Sequence, residues 1–129
     1  MRQVISTANA PKAVGPYSQA VAVGDVLYCS GQIPLDSLTG EMVSGGVREQ
    51  TEKVLANLRA VLEANSMRLS DVVKATVFMT DLGRFSEMNE VYASFFSEPF
   101  PARSTVQVAG LPRGAQVEIE VLAVRDRSV

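Results

Sequence analysis

Apolar residues in this chain repeat with two different periods, and the stretches obeying the longer period are too few to enclose those obeying the shorter one. From Val47 to about Asn65, Val47, Val54, Leu58, Val61 and Leu62 recur at helical spacing with charges between them. A second helix is predicted in RFSEMNEVYASFF, where Phe85, Met88, Tyr92 and Phe95 share one face and Pro99 and Pro101 forbid continuation. Elsewhere the period is two. In DVVKATVFMTD, Ala75, Val77 and Met79 fall on one side and Lys74, Thr76 and Phe78 on the other. RQVIS, YSQAVAV and VLYCSGQ read as strands before the first helix, the last two joined by a tight turn at Val23 to Val26. The loop PLDSLTGEMVSGG follows, its period broken by Pro34, Gly40, Gly45 and Gly46, and two strands near Ser104 to Ala109 and Val117 to Val124 close the chain. The order βββαβαββ holds no repeat and no long linker, which predicts one α+β domain over residues 1–129 with a six-stranded sheet.

Two helices can blanket only one face of such a sheet. Val106, Val108, Val117, Ile119 and Val121 are suited to lie beneath them, leaving Thr76, Phe78, Thr105, Gln107, Ala109, Glu118, Glu120 and Leu122 for the opposite face. That set is too mixed for a sealed core and too apolar for ordinary wet surface, so a second copy of the chain is the expected cover.

The composition narrows the chemistry. The 129 residues carry a net charge of -2 with no lysine or arginine run, which speaks against nucleic-acid binding. Apolar stretches are short and interrupted, and the N-terminal residues lack a long apolar core, so no membrane span is expected and the reading is cytoplasmic. With no histidine and Cys29 as the one cysteine, a Ser/His/Asp triad, a Cys/His pair and a His-ligated zinc site are impossible within the chain. No calcium loop and no phosphate-binding glycine loop is present, and no cofactor is predicted. Carboxylates, hydroxyls, arginine, backbone groups and water must do any chemistry.

PFPARSTVQVAGLPRGAQVEIEV therefore stands out, because it commits Arg103, Glu118 and Glu120 to stretches that otherwise look like buried strand. Alternation puts Arg103 and Thr105 on one side of their strand and Glu118 and Glu120 on one side of theirs. Two readings remain open on residues alone. One is a structural ion pair of Arg103 with Glu118 or Glu120. The other is an anion site, in which the guanidinium fork grips a small carboxylic acid through two parallel charge-assisted hydrogen bonds.

GPYSQAV, SGQIPLD, TGE, the MNEVYASFF helix with Asn89, and FPARSTVQVAGLP followed by VEIEVLAV resemble the Rid family of enamine/imine deaminases, also called the YjgF family, in the same order over nearly the whole chain. The resemblance implies a chorismate-mutase-like α+β fold, a homotrimer with sites between subunits, and hydrolysis of 2-aminoacrylate and small 2-imino acids to 2-keto acids and ammonia, protecting pyridoxal-phosphate enzymes. It implies Arg103 as the holder of the substrate carboxylate, with Tyr17, Ser30, Gly31, Asn89, Thr105 and Glu118 lining the pocket and Arg103, Glu118 and Tyr17 as the catalytic set. Thr105 stands where many RidA-type members carry cysteine and Gly110 where many carry a basic residue, departures that bear on substrate range. Glu120 is expected near the seam between subunits but outside the site, and Cys29 as core filler. A carboxylate-binding trimer without catalysis is the alternative; ribonuclease activity, attributed to some relatives, fits poorly with an acidic, histidine-free chain.

Overall fold

The computed structural model describes residues 1–127. Six strands, β1 (Arg2–Ile5), β2 (Ala20–Val23), β3 (Val26–Gln32), β4 (Val72–Met79), β5 (Ala102–Gln107) and β6 (Val117–Val124), and two helices, α1 (Val47–Ala64) and α2 (Phe85–Phe95), follow one another as β1β2β3α1β4α2β5β6. The sheet order is β1-β2-β3-β6-β4-β5. All neighbours are antiparallel except β4 and β5, which run parallel and are joined by the crossover through α2 that parallel strands require. β5 therefore forms an edge, and the last strand of the chain lies in the interior of the sheet.

The register explains the core. Ala75, Val77 and Met79 of β4 stand opposite Val121, Ile119 and Val117 of β6, and all six are buried. Leu27 and Cys29 of β3 continue that layer beside Ala123 and Val121. The apolar stripe of α1, Val47, Val54, Leu58, Val61 and Leu62 with Leu55, is buried in the same cluster, so both helices lie on one face. Gly24, at φ +58, makes the tight turn between β2 and β3, where a side chain would be strained.

The strand predicted from Tyr17 begins only at Ala20. Gln19, buried at 4 % exposure, ends the loop ahead of it: its Oε1 accepts from Thr7 N at 2.7 Å and its Nε2 donates to the carbonyls of Thr7, Ala10 and Pro11 at 3.1, 3.3 and 2.7 Å. That amide holds the N-terminal segment in place of a ladder.

One expectation is reversed. β5 registers on β4 as Ala75↔Arg103, Val77↔Thr105 and Met79↔Gln107, so Arg103, Thr105 and Gln107 lie on the helix side. Ser104 and Val106 share the open side with Thr76 and Phe78, and Val106, expected beneath the helices, is 41 % exposed. Val108 lies beyond the end of the strand. The reason is the end of the core: past β4 the covered side is filled by residues of α2 and its approach, and polar groups find partners there, as when Leu82 N donates to Gln107 Oε1 at 2.8 Å.

Candidate active site

The residues singled out from the sequence fall into two clusters on opposite sides of the sheet. Arg103, on the edge strand, faces α2. Its Nη1 donates to Asn89 Oδ1 at 2.8 Å, and its guanidinium carbon lies 4.7 Å from the centroid of the Tyr92 ring and 5.4 Å from that of Phe85. These distances are within the range of cation–π attraction. No carboxylate of the described residues pairs with it, since the ion pairs join Arg48 to Glu90, Arg84 to Glu87 and Arg127 to Asp25. A hollow of about 400 Å³ opens beside it, lined also by Asn89, Tyr92, Phe100 and Pro101. Thr105 Oγ1 and Tyr92 Oη are both inaccessible and without a hydrogen-bond partner. Burial raises the Tyr92 phenol above its ordinary value, opposed in part by the Arg103 charge.

The second cluster occupies the open face and the end of β3. Glu118 lies against the backbone of Gly31, so a Cβ at that position would meet its carboxylate and push the side chain aside. The ladder between β3 and β6 slips between Cys29 and Gln32, and this irregularity brings Gly31 to the carboxylate. Ser30 N donates to Gln19 O at 2.9 Å and Ser30 Oγ to Ser18 O at 2.6 Å, tying the end of β3 to the segment that carries Tyr17. Tyr17 is 54 % exposed, reached through Gly15 at φ +122, with its Oη accepting from Val14 N at 3.4 Å. Tyr17 and Gly31 border a hollow of about 280 Å³ whose other walls include Val14, Ile33, Leu35 and Arg113. Desolvation raises the Glu118 carboxyl above the usual glutamate range, and the negative charge of Glu120 adds to the rise.

A larger hollow of about 600 Å³ lies along Val4 to Gln19, with Tyr17 on its border. Among the described residues that line it, Lys12 and Tyr17 are the ionisable groups, and no carboxylate faces it. Among the described residues no three of His, Cys, Asp and Glu are grouped to hold a metal ion.

The residues expected on one face of the sheet are divided between two. Arg103 stands opposite Ala75 on β4, and Glu118 opposite Phe78, three positions along the same strand. An odd separation puts the two side chains on opposite faces, with β4 between their strands. The structural ion pair of Arg103 with Glu118 or Glu120 is therefore excluded within one chain. The Thr105 hydroxyl is likewise sealed, so any contact from that residue to a ligand falls to its backbone on the sheet edge. The sequence places Phe85 and Tyr92 on one helical face, and their spacing around Asn89, four residues before it and three after, is the available sign that this face meets the arginine.

An Arg103 guanidinium paired with no carboxylate of the described residues thus lies beside a hollow, with the partly desolvated Glu118 carboxylate on the other face of the sheet. The chain belongs to the Endoribonuclease L-PSP family, the Rid or YjgF family, whose model matches residues 7–125. It is 48 % identical over 125 residues to the 2-iminobutanoate/2-iminopropanoate deaminase of Bos taurus, covering 97 % of this chain and 91 % of the relative. Among solved structures it resembles RidA from the Antarctic bacterium Psychrobacter (49 % identity, TM-score 0.92, covering 95 % of this chain and 99 % of that one). It also resembles Escherichia coli TdcF with bound serine (44 % identity, TM-score 0.91, 96 % and 99 % covered). No helix among the described residues is long and apolar enough to cross a membrane.

Proposed function

We propose that this protein hydrolyses 2-aminoacrylate and small 2-imino acids, such as 2-iminobutanoate and 2-iminopropanoate, to 2-keto acids and ammonia, and so protects pyridoxal-phosphate enzymes from these electrophiles. The observation that carries the reading is the Arg103 guanidinium, held by Asn89 yet unpaired with any carboxylate and open to a hollow. The deaminase name of the bovine relative and the serine held by TdcF, itself an amino acid with a free carboxylate, support it.

The two clusters act together only if a second copy of the chain presents its Glu118 face to the Arg103 edge of the first. The exposed Tyr28, Val73 and Val106 supply apolar area for that contact, and a homotrimer closes it with three sites, one at each boundary. In each site Arg103 binds the substrate carboxylate through two parallel N–H···O bonds. The protonated imine carbon beside it is already electrophilic. Glu118, its pKa raised above the ordinary glutamate value, takes a proton from water as the oxygen adds to C2, returns it to nitrogen, and accepts the hydroxyl proton as the C–N bond breaks, so that ammonia leaves and the carbonyl forms. Backbone groups at Gly31 and Thr105 hydrogen-bond the substrate, while Ser30 and Asn89 hold its surroundings and Tyr17 assists the proton transfer. No cofactor takes part in these steps.

A coupled assay tests the reading. A pyridoxal-phosphate dehydratase generates 2-aminoacrylate or 2-iminobutanoate, and keto-acid release is followed with and without this protein. Acceleration is expected; none with either substrate would leave a carboxylate-binding protein without catalysis.

A further inference from the structure

Arginine side chains lose rotamer entropy when they bind, and a carboxylate gains most from a guanidinium whose plane is already fixed. In this chain one face of α2 supplies that fixation. Phe85, Asn89 and Tyr92 stand one turn apart in succession, four and three residues, and so line up along the helix axis. The guanidinium meets all three: the Asn89 amide oxygen at 2.8 Å takes one of its five N–H groups, and the rings on the turns before and after lie 5.4 and 4.7 Å away. Tyr92 is 4 % exposed and cannot swing aside, and its ring is further braced by Phe96 at 4.6 Å. The one polar atom on these rings, Tyr92 Oη, bonds nothing. The ring, not the hydroxyl, is what meets the guanidinium.

We infer that Phe85 and Tyr92 are positioning residues of the site, an aromatic clamp that with Asn89 holds the Arg103 guanidinium at one angle, so that its free N–H groups are aimed at the substrate carboxylate before substrate arrives. The inference rests on the deaminase reading for its substrate. Its scope is wider than the reaction, because a clamped guanidinium binds any small 2-oxo or 2-amino carboxylate more tightly than a free one. It also states what this fold requires at the position: a flat, delocalised cation, for which an ammonium is no substitute.

Two readouts test it, the KM for 2-iminobutanoate in the coupled assay and the affinity for its product 2-oxobutanoate by titration calorimetry. Removing one ring in Phe85→Leu raises KM and weakens 2-oxobutanoate binding by about 3- to 30-fold, the worth of a cation–π contact, while kcat changes by less than about twofold. Tyr92→Leu does the same, and Tyr92→Phe, which keeps the ring, retains the affinity. Phe95→Leu is the control on the same helix: Phe95 packs on Arg59 at 5.3 Å and not on Arg103, and its loss leaves KM alone. In an Arg103→Lys background Phe85→Leu has no further effect, since the ammonium has no plane to hold. If Tyr92→Leu fails to fold, the half-buried Phe85 decides the matter. Equal KM for wild type, Phe85→Leu and Phe95→Leu overturns the clamp. A wild-type protein that binds 2-oxobutanoate without turnover overturns the deaminase reading and leaves the clamp to be decided by affinity alone.

Discussion

The two faces of the sheet are built from the same strands by alternation, yet one is finished within the chain and the other is not. Ala75, Val77, Met79, Val117, Ile119 and Val121 point under the helices and are at most 4 % exposed. Their neighbours Thr76, Phe78, Glu118, Glu120 and Leu122 point the other way, mix carboxylates with apolar groups, and have no helix over them. A covered face needs only apolar area. The open face keeps Glu118 partly desolvated beside Glu120, and under the proposed function a second copy of the chain completes that surface. Arg103 departs from this division: it occupies the covered side at the sheet edge, where α2 supplies aromatic rings instead of a sealed core.

The sharpest way to break the comparison is to separate the two clusters between chains. Arg103→Ala removes two charge-assisted hydrogen bonds of about 1.5 to 3 kcal/mol each, a fall of roughly 10²- to 10⁴-fold in kcat/KM, and Glu118→Gln costs a similar factor through loss of the base. Each variant keeps the wild-type oligomer size by sedimentation. Unfolded, mixed in equal amounts and refolded together, the two inactive proteins regain about a quarter of wild-type activity, because statistical assembly leaves that share of boundaries with a native Arg103 from one chain and a native Glu118 from the next. Zero recovery in demonstrably mixed oligomers would place both residues in one chain's site, contrary to their opposite faces.

Stability separates the faces next. Ile119→Ala, on the covered side of β6, loses about 2 to 5 kcal/mol in urea unfolding, the range for a large residue fully buried in a packed core. Leu122→Ser, three residues on and on the open side, changes the fold of the single chain little and instead shifts the sedimentation profile toward smaller species at low concentration. If Leu122→Ser left the profile unchanged down to nanomolar protein, the open face would not be the contact between copies.

The pH dependence follows from the same division. The folded-state pKa of Glu118 is raised, so the folded protein binds this proton more tightly than the unfolded chain does. Stability from this group is present when it is protonated and is lost as pH rises through the raised value. Glu118→Gln should therefore be more stable than wild type at neutral pH, with the advantage vanishing once pH falls below the ordinary glutamate range. The acid limb of the kcat/KM profile lies above that same range, since the base must be ionised. An acid limb at an ordinary glutamate value would mean that the assembled site restores charge stabilisation that the single chain lacks.

Periodicity made most of this fold legible: both helices, the alternation in β4 and β6, and the strand VLYCSGQ coincide with the structure. It failed at β5 because RSTVQ has no purely apolar side, so the valine was taken for the buried one, whereas the edge packs a half-buried arginine against rings. It also missed the buried polar residues that set the loops, such as Gln19, Gln50, which accepts from Gln116 N at 2.8 Å, and Asn57, which donates to Leu35 O at 3.1 Å. Their partners are distant backbone atoms with no pattern in sequence. Gly31 is a candidate through the family resemblance, and its closeness to the Glu118 carboxylate is visible only in the structure.

Cys29 gives the smallest effect and tests the division most locally, because it adjoins Ser30 and Gly31 in sequence. On β3 it stands opposite Val121, on the covered face, while the Glu118 carboxylate approaches the backbone one bulge further on. Burial pushes its thiol up to about 12, so almost no thiolate exists at neutral pH. Cys29→Ala should leave kcat and KM within about twofold and cost about 1 kcal/mol or less for one small buried group. Iodoacetamide at pH 8 should label native wild-type protein no faster than global unfolding exposes the residue. Rapid labelling accompanied by loss of activity would put the thiol on the open side, and with it the whole alternation of β3 that sets Ser30 and Gly31 beside Glu118.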